Sequence, residues 1–222
     1  MEYITIQNSK SIELQTETDP NGDWIIGFTV FLKGVIEAEV LTEADRQAKH
    51  LADILAVKRG IFVTCHQSGY TKKTASGWTT TAAFTSSYRI HAHVQIDLRD
   101  PKIAALIATE SDTTQQLHHY NLALRAEGLG QYEGMITELF KVIEKEKTIP
   151  AWSKYKALRD ALSHQKPVPH AKSNIDLNFG LGYFDFIVND EFDHNSPKNM
   201  RNLRAEALAL QSIITSYVTT KI

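Results

Sequence analysis

One stretch of the chain, Lys156-Ala157-Leu158-Arg159-Asp160-Ala161-Leu162-Ser163-His164-Gln165, carries an arginine and, five residues later, a histidine. An arginine holds a phosphate through paired N–H donors, and a histidine can donate or accept a proton near neutral pH. Together they can cleave a phosphodiester without a metal ion. The spacing alone is weak evidence, because a chain with 9 histidines is expected to contain about one chance match. The surrounding residues must therefore support the pair.

The surroundings predict an amphipathic helix. Pro150 is suited to the first helical position, and Pro167 and Pro169 disfavour helix at the residues before them. We therefore expect the helix to end near Gln165. One apolar stripe recurs at spacings of three and four residues: Ala157, Leu158, Ala161 and Leu162.

His164 is predicted to lie in the last turn of this helix, where the helix dipole favours its protonated form. Five residues correspond to about 140° of rotation and about 7.5 Å of rise, so Arg159 and His164 do not share one face. A working site requires the helix to unwind at His164, or a second copy of the helix to complete it. The second solution predicts a site shared between two subunits.

Arg159 is predicted to lie in a basic patch, with Asp160 as the only acidic residue between positions 150 and 172. Such a local patch is what phosphate or RNA binding needs in a chain whose net charge is −2. The alternative is that the lysines only solvate a helix face. The flanking lysines are Lys154, Lys156, Lys166 and Lys172.

Composition limits the classes of protein. The chain has 222 residues, of which 42% are hydrophobic and 23% charged, as in a globular protein of one or two domains. The net charge excludes a broad electrostatic attraction to nucleic acid. A single cysteine, Cys65, excludes a disulfide within the chain and a cysteine-based zinc site. The first residues lack a basic signal region, and no apolar run reaches the length of a membrane span. We therefore expect a cytoplasmic protein without a membrane partner.

No metal or other cofactor is predicted. His91 and His93 alternate along a strand and could share a metal, but the polar face of a half-buried strand explains them more simply. The acidic residues between 185 and 194 could bind a divalent cation, and a solvated loop is the favoured interpretation.

Residues 1–110 are predicted to form a small mixed α/β domain. A helix is expected to open with a capping box at Thr42 and to end at Gly60. Strands are expected at 24–32, at 61–66 and at 88–98. The polar segment 70–87 is interpreted as a long hairpin connection or a mobile loop.

Residues 111–222 are predicted to form an all-helical bundle, so the fold class is α+β. The segment 167–195 is too long for a structureless loop, and we expect it to pack on the bundle or to line a site. Besides a short helix at 101–109 and the Arg/His helix, helices are predicted at 113–127, at 132–145 and from Ser196-Pro197 onward.

A helical bundle in which Leu158-Arg159-Asp160-Ala161-Leu162-Ser163-His164 closes a helix resembles the HEPN superfamily. The stretch Tyr120-Asn121-Leu122-Ala123-Leu124-Arg125-Ala126-Glu127 is similar to the MauJ-like branch, named for its association with methylamine-utilisation genes. The resemblance covers about half of the chain, from residue 112 onward.

The resemblance implies a homodimer formed through the bundle, with the arginine and histidine of both copies facing one cleft. Many such proteins are metal-independent RNA endonucleases, often in toxin or antiviral systems. Arg159 would then hold the phosphate, His164 would transfer protons, and Asp160 would orient a neighbouring side chain. Lys154, Lys156 and Lys166 would bind the RNA backbone.

Two alternatives stay open at this point. Other HEPN proteins are catalytically silent and bind a nucleotide or a partner protein; in that case Arg159 and His164 should be tied into contacts within their own chain. The chain could also be an accessory factor of a metabolic operon of the methylamine type. Residues 1–110 would then bind a small molecule in an apolar pocket.

Overall fold

The computed structural model describes residues 11–19, 22–31, 37–64, 69–74, 77–82, 90–91, 100–163, 183–187 and 191–222. These residues divide into two compact units. The first contains the described residues up to Arg59 together with Val63–Thr114, and the second contains Gly60–Phe62 and Gln115–Ile222. A domain boundary between residues 110 and 111 stays a prediction.

The strands of the first unit are antiparallel. β1 (Ser11–Asp19) pairs with β2 (Gly22–Phe31), whose pairing confirms the strand predicted at 24–32. β3 (Gly69–Thr74) pairs with β4 (Gly77–Ala82), and β5 (Ile90–His91) pairs with β2. That these elements form one small α/β domain stays a prediction.

The β3–β4 hairpin corrects the interpretation of 70–87 as a connection or a mobile loop. Both strands are rich in threonine, and Thr71 pairs with Thr80 in the register of the hairpin. Threonine, tyrosine and tryptophan favour extended backbone even in a polar segment. A polar composition therefore did not exclude regular strand structure here.

Helix α1 spans Glu37–Arg59. It therefore begins five residues before Thr42, and the predicted capping box at Thr42 is wrong. Thr42 lies inside the helix, and its Oγ1 donates a hydrogen bond to the carbonyl oxygen of Ala38 at 2.9 Å. The preceding residues are good helix formers, so the helix extends toward the N-terminus through them. Gly60, with φ of +65°, ends the helix as predicted.

The strand predicted at 61–66 is wrong for residues 61–64, none of which is extended in a sheet. No described strand pairs with this segment, and its apolar side chains find partners elsewhere. Val63 is buried, and the guanidinium carbon of Arg125 lies 5.7 Å from the centre of the Phe62 ring. Cys65 and His66 lie outside the described residues.

Helix α2 (Pro101–Ala108) confirms the short helix predicted at 101–109. Asp100 caps its start by accepting a hydrogen bond from the backbone N–H of Lys102 at 2.8 Å. Its last carbonyls are satisfied from α1, because Arg46 Nη2 donates to the Ala108 oxygen at 2.6 Å. These contacts hold α2 against α1 within the first unit.

The second unit is a helical bundle, as predicted. Its helices are α3 (Asp112–Gly128), α4 (Tyr132–Ile143), α5 (Trp152–Ser163) and α6 (Pro197–Thr219). The inward faces predicted from periodicity are buried, each residue being at most 4% exposed: Leu117, Tyr120, Leu124, Met135, Ile136, Leu139, Phe140, Ile143, Leu203, Ala207, Leu210, Ile214 and Val218.

Helix α5 begins at Trp152 and not at Pro150, so the predicted start is wrong. Ala151, directly before Trp152, has φ of +61°. This left-handed conformation does not occur inside a right-handed helix, so Pro150 cannot belong to α5. Trp152 Nε1 donates a hydrogen bond to the Ile143 oxygen at 3.0 Å. The start of α5 is thereby fixed beside the end of α4, and the predicted end near Gln165 lies outside the described residues.

The segment before α6 packs on the bundle where it is described, as predicted for part of 167–195. Short strands β6 (Phe186–Ile187) and β7 (Glu191–Phe192) pair antiparallel. Asn199 is fully buried, and its Nδ2 donates to the carbonyl oxygens of Asp185 and Asp193, both at 2.8 Å. Ser196 caps α6 by accepting from the N–H of Asn199, as predicted.

Within the described part of the chain, none of the helices combines the length and the apolar character that crossing a membrane requires.

Candidate functional site on helix α5

Arg159 lies on the flank of α5 that faces the end of α4. Its guanidinium carbon is 4.9 Å from the centre of the Phe140 ring, a cation–π contact. Its Nη2 donates a hydrogen bond to Glu144 Oε1 at 3.3 Å. The Arg159 side chain is 27% exposed, whereas Glu144 is 57% exposed. The guanidinium thus lies against the Phe140 ring, while its carboxylate partner Glu144 remains largely in water.

Asp160 lies between two cations. Its Oδ1 is 3.2 Å from Arg159 Nε, although that nitrogen is buried and makes no hydrogen bond among the described residues. Its Oδ2 accepts a hydrogen bond from Lys156 Nζ at 2.7 Å. Asp160 therefore balances the charge of Arg159 and Lys156 from their own helix.

Lys154 lies on the opposite flank of α5, because five residues separate it from Arg159 by about 140°. Its Nζ donates to Glu206 Oε1 on α6 at 2.6 Å, and the two side chains are only 29% and 13% exposed. Tyr183 Oη donates to the same carboxylate oxygen. Glu206 Oε2 is buried and has no hydrogen-bond partner among the described residues.

Two tyrosines report on the charge of Glu206. Burial, followed by the negative charge of Glu206, raises the pKa of Tyr155 above its ordinary value. Burial and the hydrogen bond to Glu206 likewise raise the pKa of Tyr183. A phenol beside a carboxylate keeps its proton because ionisation would place two negative charges together. Lys154 thus belongs to a hydrogen-bonded cluster that joins α5, α6 and residue 183.

His164, Lys166 and Lys172 lie outside the described residues, so their relation to Arg159 is untested. The described part of the helix is still regular at Ser163.

Sequence reasoning missed the two carboxylates that other helices bring to the patch. Glu144 follows α4 and Glu206 belongs to α6. With Asp160 they supply three negative charges against the three described cations Lys154, Lys156 and Arg159. The described part of the predicted basic patch is therefore electrically balanced. No pattern along α5 could have indicated this, since Glu144 follows α4 and Glu206 lies on α6, and only the packing of the helices brings them to α5.

Asp185, one of the acidic residues before α6, has structural partners. Asp185 accepts from Lys198 and from Ser196, and these bonds lower the pKa of its carboxyl below the ordinary value. His194 Nδ1 lies 2.9 Å from Glu133 Oε1. Among the described residues, no group of three or more histidine, cysteine, aspartate or glutamate side chains is placed to hold a metal ion.

Comparisons with family models, with curated proteins and with solved structures find no match to this chain. Function must therefore be inferred from the residues themselves. In chemical terms, Arg159 is an oriented guanidinium whose exposed partner an anion can replace, and Lys154 is part of a half-buried structural cluster.

Proposed function

We propose that the chain is a HEPN-type protein, a mixed α/β part in residues 1–110 followed by a HEPN-like bundle from 111, that cleaves RNA without a metal ion. The site is formed by Arg159 and His164 of two copies that meet through the bundle. The observation that carries this proposal is the exposed, replaceable partner of Arg159. Glu144 is 57% exposed, whereas the carboxylates that hold Lys156 and Lys154 are 27% and 13% exposed.

Replacing Glu144 by a phosphate costs little. An exposed ion pair contributes about 0.2–1 kcal/mol, and Glu144 engages the guanidinium through a single bond of 3.3 Å. A phosphate can accept two parallel, shorter hydrogen bonds from the same group. Because Phe140 already orients the guanidinium, little conformational entropy is lost on binding.

The chemistry needs only side chains. One neutral His164 takes the proton from a ribose 2′-hydroxyl, whose oxygen then attacks the adjacent phosphorus. The bond from phosphorus to the 5′-oxygen breaks, and the protonated His164 of the partner subunit donates a proton to that oxygen. The products are a 2′,3′-cyclic phosphate and a 5′-hydroxyl. Arg159 stabilises the charge that gathers on the phosphate oxygens during the attack.

Asp160 and Lys156 have supporting roles in this proposal. Asp160 contacts both Arg159 and Lys156, so it orients the guanidinium while it holds the lysine at the surface. Lys156 is the more exposed member of its pair, at 47%, and would contact a neighbouring phosphate together with Lys166. Lys154 would contact RNA only after leaving Glu206, so we expect it to contribute least.

The experiment is cleavage of an end-labelled single-stranded RNA by the purified chain in EDTA. Both His164→Ala and Arg159→Ala should reduce the rate by a factor of about 10² or more, the usual contribution of such groups. Arg125→Ala is the matched control, because Arg125 also lies over a phenylalanine ring in the second unit. It should cleave at the wild-type rate. Circular dichroism checks that all three variants are folded.

Wild-type cleavage by His164→Ala would show that the nuclease proposal has the wrong site. Activity that appears only after a divalent metal is added would contradict the metal-free mechanism. A product with a 5′-phosphate would contradict attack by the 2′-hydroxyl.

A second candidate function is a catalytically silent HEPN module that binds a nucleotide or a partner protein. One observation favours it: each described cation of the patch, including Arg159, already contacts a carboxylate of its own chain. The two candidates differ in one measurement. A silent module binds labelled RNA or nucleotide with an affinity that Arg159→Ala weakens, yet leaves the RNA intact.

The accessory-factor alternative gains no support from the described part of the first unit. A depression beside α1 is lined by Ala38, Glu39, Thr42 and Glu43. All four residues belong to one helix and the depression is largely open to solvent, so it does not enclose a ligand as a small-molecule pocket does.

A further inference from the structure

The second unit exposes a group of large apolar side chains at one end of the bundle. Leu129 is 60% exposed, and Met200 and Leu208 are each 39% exposed. Together with Tyr132 and Arg204 they form what we call the Tyr132–Arg204 surface. Scattered exposed apolar residues are ordinary, but several in one patch indicate an interaction site.

The geometry of α6 places these residues together. Met200, Arg204 and Leu208 follow one another at intervals of four residues, so they lie along one line of the helix. The guanidinium carbon of Arg204 is 6.0 Å from the centre of the Tyr132 ring. Leu129 lies in the short turn that leads into α4 at Tyr132. The surface therefore spans the start of α4 and the first half of α6.

Hydrogen bonds show that this flank of α6 faces α3. Gln211 Nε2 donates to Glu127 Oε2 at 2.7 Å, and the hydroxyls of Tyr120 and Thr215 are 2.7 Å apart. Glu127 thus lies at the border of the surface near Leu208. It is a different flank of α6 from the one that carries Glu206.

The arginines of this surface have no carboxylate partner in the part of the chain that the structure describes. Arg201 and Arg204 are exposed and contact no carboxylate among the described residues. On the neighbouring helices, Glu127 and Glu133 bond only to Gln211 and His194 in that part of the chain. Two arginines on one side and two glutamates on the other make the patch complementary to itself after a two-fold rotation.

We propose that the Tyr132–Arg204 surface binds a second copy of this chain. Tyrosine, arginine and methionine are the residue types enriched in protein interfaces. A two-fold axis would set the arginines of each copy against the glutamates of the other, with Leu129, Met200 and Leu208 between them. The net charge of −2 adds little repulsion between two copies.

The surface lies at the end of the bundle where α5 ends. Trp152 at the start of α5 bonds to Ile143 at the end of α4, and the two helices pack together and have 12 residues each. α5 therefore runs back toward the start of α4, where Tyr132 lies. The docking stands independently of any nuclease activity, because the Arg159 guanidinium contacts Phe140 and Glu144 at the other end of α4 from Tyr132.

The test is the mass of the purified chain by sedimentation velocity over a wide range of concentration. We expect a dimer. Leu208→Glu should raise the dimer Kd at least about tenfold, the usual effect of a central interface residue. Ile61→Glu is the matched control, because Ile61 is an exposed isoleucine of the same unit, at 45%, outside the surface. It should leave the Kd unchanged.

A charge exchange tests the pairing itself. Arg201→Glu with Arg204→Glu makes one surface wholly acidic, and Glu127→Lys with Glu133→Lys makes the other wholly basic. Each double variant should be monomeric alone, and an equimolar mixture should form the dimer again. Because these side chains are on the surface, thermal melting should show both variants to be folded.

A monomeric wild-type chain would overturn the proposal, including the case in which another part of the chain covers the surface. A dimer that Leu208→Glu and Ile61→Glu affect equally, or a mixture of charge variants that stays monomeric, would overturn it as well. A dimer that obeys these tests but does not cleave RNA would support the docking and contradict the nuclease proposal. The two failures are therefore distinguishable.

Discussion

The two flanks of helix α5 hold their cations in different ways. Arg159 contacts a carboxylate that is 57% exposed, and its orientation comes from the Phe140 ring. Lys154 contacts a carboxylate that is 13% exposed, and Tyr183 bonds to the same oxygen. Both side chains are positive and belong to one predicted basic patch. Glu144, the partner of Arg159, is largely exposed to solvent, whereas Glu206, the partner of Lys154, is not.

The comparison shows that the surroundings of the carboxylate decide what a cation can do. An exposed ion pair contributes little and is readily exchanged for another anion. Breaking a buried pair is costly, because the group that stays behind keeps an uncompensated charge. We therefore expect substitutions on the Lys154 flank to change stability, and substitutions on the Arg159 flank to change the binding of phosphate.

The largest effect is expected for Glu206→Ala. It removes the common acceptor of Lys154 and Tyr183 and leaves a half-buried ammonium without a partner, which should lower the free energy of unfolding by about 3 kcal/mol. Urea denaturation followed by circular dichroism measures this. Glu144→Ala is the control on the other flank and should cost at most about 1 kcal/mol. If both variants lost the same unfolding free energy, the proposed difference between the two flanks would be wrong.

An intermediate effect is expected at alkaline pH. The pKa values of Tyr155 and Tyr183 are raised in the folded chain by burial and by Glu206. The stability they contribute is fully present below their unfolded pKa of about 10, and it is lost as the pH rises through the raised folded values. The free energy of unfolding should therefore fall above about pH 10.

Tyr183→Phe tests the origin of that alkaline loss. At neutral pH it should cost about 1–2 kcal/mol, since it removes a hydrogen bond to a charged acceptor. Above about pH 10 the difference between variant and wild type should shrink, because the variant lacks one of the titrating groups. If the difference in unfolding free energy between Tyr183→Phe and wild type were the same at every pH, Tyr183 would not be a source of the alkaline loss.

The smallest effect is expected for Glu144→Gln, measured as the affinity for a non-cleavable RNA analogue. Removing the competing carboxylate should raise the affinity up to about fivefold, because an exposed pair is worth about 0.2–1 kcal/mol and 1.4 kcal/mol is tenfold. Glu206→Gln should not raise it. Weaker binding by Glu144→Gln would mean that Glu144 assists Arg159 and does not compete with phosphate.

The helices of the second unit could be predicted where the local signals agree. Ser196 and Pro197 mark the start of α6, and Gly128 marks the end of α3. The apolar spacing of α4 and α6 selected the residues that are buried. These features depend on capping and on periodicity, which act within a few residues along the chain.

Other local signals predicted the wrong helix start, because neighbouring residues had a stronger effect. Pro150 was a sound first residue for α5, but Ala151 in a left-handed conformation moves the start to Trp152. Thr42 had the pattern of a cap, but the helix formers before it extend α1. A capping signal sets a preference of about 1 kcal/mol, which several favourable residues or one packed tryptophan can outweigh.

By itself the sequence determined that α5 exists, that it carries Arg159 and Asp160, and that Lys154 lies about 140° around the helix from Arg159. Only the tertiary structure decided that Glu144 and Glu206 meet these cations, and that one of the two carboxylates is exposed and the other nearly buried. The reason is physical. Helical periodicity fixes the direction of a side chain about its own helix, whereas its partners depend on how the other helices pack, a property that no local pattern contains.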